Sequence, residues 1–282
     1  MANEYTPTQL AAHIRKVWSK EIGLEANEEQ VGVPHFKSLE KIEGELAYRK
    51  FATLSSNSLA NGTAGEGSNL TRSGNTEVTV SATPQTEYVM TVVNLNTAAR
   101  CAFDPKVPLR QQMEGALYER VDRVGLALAG GLTTNIVGTA ASSLTDPLIR
   151  EAKRKLIVAA KSHYKVGKKK FVTVIHPNEF ENLDGIEAFY RADVRGDKAN
   201  PLVSGAVYEV RGGYWFESGN VLQDTATRNV MFLPDSTFGI GFNQKYAVKM
   251  EEFELVYKLI AWVDFGVMEC WDQYGVLINT TP

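Results

Sequence analysis

The stretch from Asp104 to Gly131 constrains this chain more than any other. Leu109, Met113, Leu117, Val121, Val124 and Leu128 step by four or three residues and make a single apolar stripe of helical period. Asp104 is placed to cap the segment, and Pro105 takes the first helical position, where a missing N–H costs nothing. Glu119 and Arg123 stand i, i+4 on the opposite face, and Gly130-Gly131 ends the run. The spacing predicts a helix over 104–130, about 25 residues and roughly 38 Å long at 1.5 Å per residue. That is long for a compact domain. The rest of the chain must build a body of that width and bury the stripe.

What surrounds the helix is mostly extended. Upstream, residues 8–20 carry Leu10, Ile14, Val17 and Trp18 on one helical face, with His13, Arg15, Lys16 and Lys20 off it. Such a helix packs on its own domain or docks on a neighbour; its few basic groups make a weak membrane anchor. Residues 45–54 suit a strand. Residues 55–75 then hold four glycines and no aromatic residue, too little apolar surface to order a segment alone. Glu77–Ser81 and Tyr88–Asn94 alternate as strands on either side of 82–86. We read this region as a long two-stranded arm with a loose insertion. An isolated hairpin is marginal in water, so a partner is expected to cover it.

Downstream of the long helix, a second helix is expected from Thr145-Asp146-Pro147 to about His163, with Leu148, Ala152, Leu156 and Ala159 inward. The unbroken apolar run Phe171–Ile175 reads as a buried strand. Pro177 opens a short helix through Leu183, and 190–204 is a polar loop. Ala206–Val210 and Tyr214–Glu217 flank Arg211-Gly212-Gly213 as a hairpin. Strands at Val230–Leu233, Phe238–Phe242, Tyr246–Met250 and Phe253–Met268 complete an α+β chain.

Charge and motifs narrow the function. The net charge is −3 over 282 residues, so contact with nucleic acid is expected to be local or weak rather than a wrapping of the whole surface. No run of about 20 apolar residues is present, which argues against a membrane-spanning helix. The opening MANEYTPTQLAAHIRKVW lacks an apolar signal core, so Cys101 and Cys270 are read as reduced, buried thiols, and the glycosylation-like tripeptides at Asn61, Asn69 and Asn279 as chance. His13, His35, His163 and His176 show no metal-ligand spacing; His176, before Pro177, reads as a turn residue. There is no GxSxG elbow and no phosphate-cradling GxxxxGK[ST]. Gly65-Glu66-Gly67 and Gly239-Ile240-Gly241 lie in a loop and a strand, not before a helix as a dinucleotide site requires. Glu251, Glu252 and Glu254 read as a solvated strand edge. Lys165, Lys168, Lys169 and Lys170 form a basic turn, either solvated or touching phosphate or an acidic neighbour. No catalytic, cofactor-binding or metal-binding residue is assigned, and no enzyme activity or cofactor is expected.

The order of these parts resembles the major capsid proteins of tailed bacteriophages, which share the Hong Kong 97-type fold. FVTVIHPNEFENL (171–183) looks like that family's strand, proline and short helix; SGAVYEVRGGYWFESGNV (204–221) is similar to its glycine-turn hairpin; DFGVMECWDQYGVLINTTP (264–282) resembles its closing strands. The resemblance covers nearly the whole chain and rests on the ordered set, each motif being weak alone. It implies an N-terminal arm over 1–43 and an extended loop over 44–99. It further implies a peripheral domain over 100–139 and 248–268, carrying the spine helix, and an axial domain over 140–247 and 269–282. It implies a coat protein that self-assembles into pentamers and hexamers as an icosahedral shell around phage double-stranded DNA. Portal and scaffolding proteins would be partners, with decoration proteins as a further class. Contact with packaged DNA would be weak and non-specific, no membrane would be involved, and assembly would take place in the host cytoplasm. An encapsulin-type compartment and a soluble hydrolase are the alternatives. No fused scaffolding segment is visible. Some family members cross-link a loop lysine to a neighbour's asparagine, whereas here no lysine occurs between Phe51 and Phe103.

Overall fold

The computed structural model describes residues 29–42, 45–51, 77–94, 106–160, 170–186, 208–253 and 256–282. The expected helix over 8–20, the loops at 55–75 and 190–204, the Asp104–Pro105 cap, Cys101, His13, His163, Glu254 and Lys165, Lys168 and Lys169 lie outside them.

Three sheets and three α-helices make up the described residues. Strands β1 (Lys37–Ser38), β2 (Glu40–Ile42), β3 (Glu45–Phe51), β4 (Glu77–Ala82) and β5 (Gln85–Asn94) come first, followed by α1 (Lys106–Ala127) and β6 (Ile136–Gly138). Helix α2 (Asp146–Ala160), β7 (Phe171–Ile175), α3 (Pro177–Asp184), β8 (Tyr208–Val210) and β9 (Gly213–Glu217) follow. Strands β10 (Thr227–Phe232), β11 (Phe238–Phe253), β12 (Val256–Glu269) and β13 (Gly275–Thr280) close the chain. The sheets run β1-β11-β12-β5, β6-β13-β10-β7-β9-β8 and β2-β3-β4.

The long helix is present but its buried line differs from the simple stripe. Met113, Leu117, Val121, Leu126 and Ala129 are buried, whereas Val124 and Leu128 are only half-buried. The helix meets two partners. One is the inner face of β12, through Leu259, Ala261 and Val263; the other is the segment 31–36, whose Val33 and Phe36 join the same core. Gly125 makes the second contact possible, because a Cβ there would stand 2.7 Å from Phe36. The α-helix ends at Ala127, and a 3₁₀ turn carries the chain through Leu128–Gly131.

The six-stranded sheet is covered on both faces. Val172 and Val174 of β7 face the α1 core; Phe171 and Ile175 face α2 and α3. This two-sided burial is why the run is apolar without interruption. Helix α2 places Ile149, Ala152, Leu156 and Ala160 innermost, one residue off the expected line at its two ends; its described span is Asp146–Ala160, and its expected end near His163 lies outside the described residues. The β8–β9 hairpin turns on Arg211 (φ 56) and Gly212 (φ 82) alone, the paired positive φ of a two-residue turn whose twist matches the strands.

The arm differs most from expectation. β4 pairs antiparallel with β3, and β2 adds a third strand to that sheet. β5 is instead an edge strand, paired along its whole length with β12, from Asn94 opposite Val256 to Gln85 opposite Phe265. Thr83-Pro84 is thus a switch between sheets. The alternation of 77–81 and 88–94 set the strands but not their partners, since each partner is remote in sequence. Leu39, just before β2, and Leu46 of β3 press on Gly239 and Gly241 of β11, where a Cβ would come within 2.5 and 2.7 Å. Cys270 is buried in that same cluster.

Candidate assembly interface

The sequence flagged scattered titratable groups, and the structure keeps them apart. His35 is half-buried against the Phe216 ring at 5.1 Å; burial holds its pKa below the ordinary value, with Asp235 pulling the other way. His176 caps α3 by accepting from the Asn178 N–H at 3.2 Å, the turn role expected of it. Glu251 lies on β11 and bridges Lys249 at 2.6 Å; that hydrogen bond lowers its pKa. Among the described residues no three His, Cys, Asp or Glu side chains gather as a metal site, and no helix is long and apolar enough to cross a membrane.

Two polar clusters instead join distant segments. Asp122, fully buried on α1, accepts from the N–H groups of Gly32 (2.9 Å) and Val33 (3.0 Å) and from Asn220 Nδ2 (3.1 Å). These are three neutral donors for one buried carboxylate, and they pin the base of the N-terminal segment and the loop at 218–221 to the long helix. Asp272 gathers the backbone N–H groups and hydroxyls of Thr133 and Thr134. Burial pushes its pKa up, but those hydrogen bonds outweigh it and hold the carboxyl below its usual range. Sequence reasoning missed both, because each pairs residues about 90 or more positions apart.

Among the described residues two open surfaces stand out. The first is the outer face of β5, where Tyr88, Met90 and Val92 are 69%, 51% and 54% exposed. Register puts Trp262 and Ile260 of β12 beside Tyr88 and Met90 on this face. The other face, with Val89 and Val93, packs on the core. Arg120 of α1 holds the strand by bridging Glu87 at 3.0 Å. The signal was in the sequence: Tyr88-Val89-Met90-Thr91-Val92-Val93 is apolar on both alternations, as in a strand that needs cover on two sides. An exposed apolar edge strand is a template for association.

The second surface is the outer side of α2, where Arg150, Lys153, Arg154, Ile157, Val158 and Arg211 line a groove of about 540 Å³. Asp146 is shared there between Arg150, at 2.6 Å, and Arg211. Lys153 donates to the Arg211 carbonyl, and its pKa is lowered, first by burial and then by the Arg211 charge.

No protein-family model and no curated protein sequence matches the chain. Solved structures do. A chain from Mycobacterium phage Che8 aligns with TM-score 0.71 over 99% of this chain and 98% of its own, at 17% identity. The capsid of cyanophage P-SCSP1u aligns with TM-score 0.71 over 99% of both chains, at 12% identity. The mature capsid of bacteriophage PhiM1 aligns with TM-score 0.68 over 94% of this chain and 90% of its own, at 14% identity. The chain therefore has the fold of phage capsid proteins, shared from end to end at identities where sequence alone carries little.

Proposed function

We propose that this chain is the major capsid protein of a tailed bacteriophage, a structural subunit rather than an enzyme, which self-assembles into pentamers and hexamers of an icosahedral shell around double-stranded DNA. The observation that carries the reading is the end-to-end fold match to capsid chains, with nearly all of both chains aligned. The apolar outer face of β5 supports it, since a monomer gains nothing from displaying Tyr88, Met90 and Val92. Shell closure requires one surface to meet a different surface on the neighbour, and the open β5 face provides one such surface.

Within this reading the arm spans 1–43, the extended loop 44–99, the peripheral domain 100–139 and 248–268, and the axial domain 140–247 and 269–282. The core between α2, α3 and one face of the six-stranded sheet supports the axial division, since all its buried residues but Val137 come from 140–247 and 269–282; the core under α1 is shared by the four-stranded sheet and the other face of the six-stranded sheet. β11 runs across the 247/248 boundary and is irregular between Phe242 and Ala247, just before it. Portal, scaffolding and decoration proteins are the partners of such a subunit, its place is the virion, and it assembles in the host cytoplasm. Size-exclusion chromatography and electron microscopy of the purified chain test the reading: megadalton closed shells are expected, and a stable monomer under all assembly conditions overturns it.

A further inference from the structure

We propose that the exposed face of α2 is a contact for the phosphate backbone of double-stranded nucleic acid; this rests on the capsid reading, in which the chain encloses DNA. Arg150, Lys153, Arg154, Ile157 and Val158 stand at i, i+3, i+4, i+7 and i+8, one helical face, and Arg211 closes the groove from the β8–β9 turn. The Arg150 side chain is 71% exposed and Arg154 is exposed as well. No acidic residue lines the groove among the described residues; Asp146 at its edge is divided between two guanidinium groups, and Glu151 beside it pairs with Lys155, so the groove keeps a positive excess. The Arg211 Nη1 atom is buried with no hydrogen-bond acceptor. The crowding of like charge shows in Lys153, whose pKa Arg211 helps to lower.

The distribution of charge along the sequence selects a polyanion. Residues 150–170 contain nine Lys or Arg and one Glu, a net +8 with His neutral; the whole chain is −3, so everything else sums to −11. A repeated phosphate array engages several such cations at once and gains from counterion release at each. It requires neither shape nor sequence, which suits a surface with no hydrogen-bonding pattern beyond its cations. The negative remainder of the chain repels the same polymer and favours contact through this basic stretch, of which the α2 face presents Arg150, Lys153 and Arg154.

The test is fluorescence anisotropy of the full-length chain with a labelled 20-base-pair duplex of random sequence, between about 25 and 200 mM NaCl. Each phosphate-contacting cation adds close to one unit to the slope of log affinity against log salt. R150Q/R154Q removes two exposed charges and should reduce the slope by about two units, with at least a tenfold loss of affinity at the lowest salt. R110Q, an exposed change on α1, should leave the slope unchanged. Circular dichroism and thermal melting confirm folding, and electron microscopy scores shells separately. A double variant that keeps the wild-type slope overturns the assignment, as does displacement of wild type by polyglutamate more readily than by duplex at equal ionic strength, which would point to an acidic protein partner. Wild type that binds DNA with the expected slope yet never forms shells sinks the capsid reading and leaves the phosphate contact standing.

Discussion

At the scale of single residues, the buried Asp122 and the partly exposed Asp272 join remote segments, and the half-buried His35 responds to pH. Removing the Asp122 carboxylate orphans the Gly32 and Val33 N–H groups and the Asn220 amide. An unsatisfied buried donor costs about 1–3 kcal/mol. Asp122→Ala should therefore lower the unfolding free energy of the unassembled subunit by about 2 kcal/mol or more, read by urea titration, and Asp122→Asn, which keeps one acceptor, by less. His35 sets a pH dependence of definite sign. Burial holds its folded pKa below the ordinary 6.5, so the unfolded chain binds the proton more tightly. The stability this imidazole contributes is complete above pH 6.5 and is lost as pH falls through the lowered folded value. The thermal midpoint should drop on going from pH 7 to 5, and His35→Phe should flatten that drop; an equal drop in the variant would remove His35 as its source. Asp272 acts in a separate window, below its ordinary pKa of 3.8, where its four bonds to Thr133 and Thr134 fail on protonation.

At the scale of elements, α1 and β5 offer separate tests of folding and of the proposed assembly. Leu117 and Val121 are buried on α1 against β12 and its neighbours. Leu117→Asp or Val121→Asp places a carboxylate where no donor waits and should cost more than about 3 kcal/mol, preventing folding itself. Soluble, cooperatively melting mutant monomer would show that the stripe is not core. Met90 lies on the opposite side of the same layer, half exposed on β5. Met90→Glu should leave the subunit's melting within about 0.5 kcal/mol of wild type, as surface changes do, and abolish shells by micrograph count. Normal shells from this variant would mean that the β5 face is not an interface.

At the scale of the whole molecule, the absence of lysine between Phe51 and Phe103 removes the amine that a loop cross-link between subunits of the proposed shell would need. Lys50 stands at the end of β3 where the loop begins, and Lys106 opens α1. Arg72 offers only a guanidinium that stays protonated and is a poor nucleophile. Mature particles boiled in detergent and reductant should run as one band near 31.1 kDa. A ladder of covalent oligomers on that gel would overturn the expectation.

How much of this was legible in the chain depends on the distance over which each feature is set. Helix α1, the short helix after Pro177, the buried run at β7 and the turn at Arg211-Gly212 follow from local period, proline and glycine, because their hydrogen bonds close within a few residues. The ordered set of such local signals was enough to point to the capsid fold, and the aligned structures share that fold. The sheet to which β5 belongs, the shift of the buried line along α1, the Asp122 pin and the gathering of Arg211 with Arg150 and Arg154 were decided in three dimensions. Each joins residues from about 57 to 170 or more positions apart. A strand carries its alternation in its own residues, but its neighbour is chosen by which remote face can be buried against it. That choice exists only once the whole core has formed.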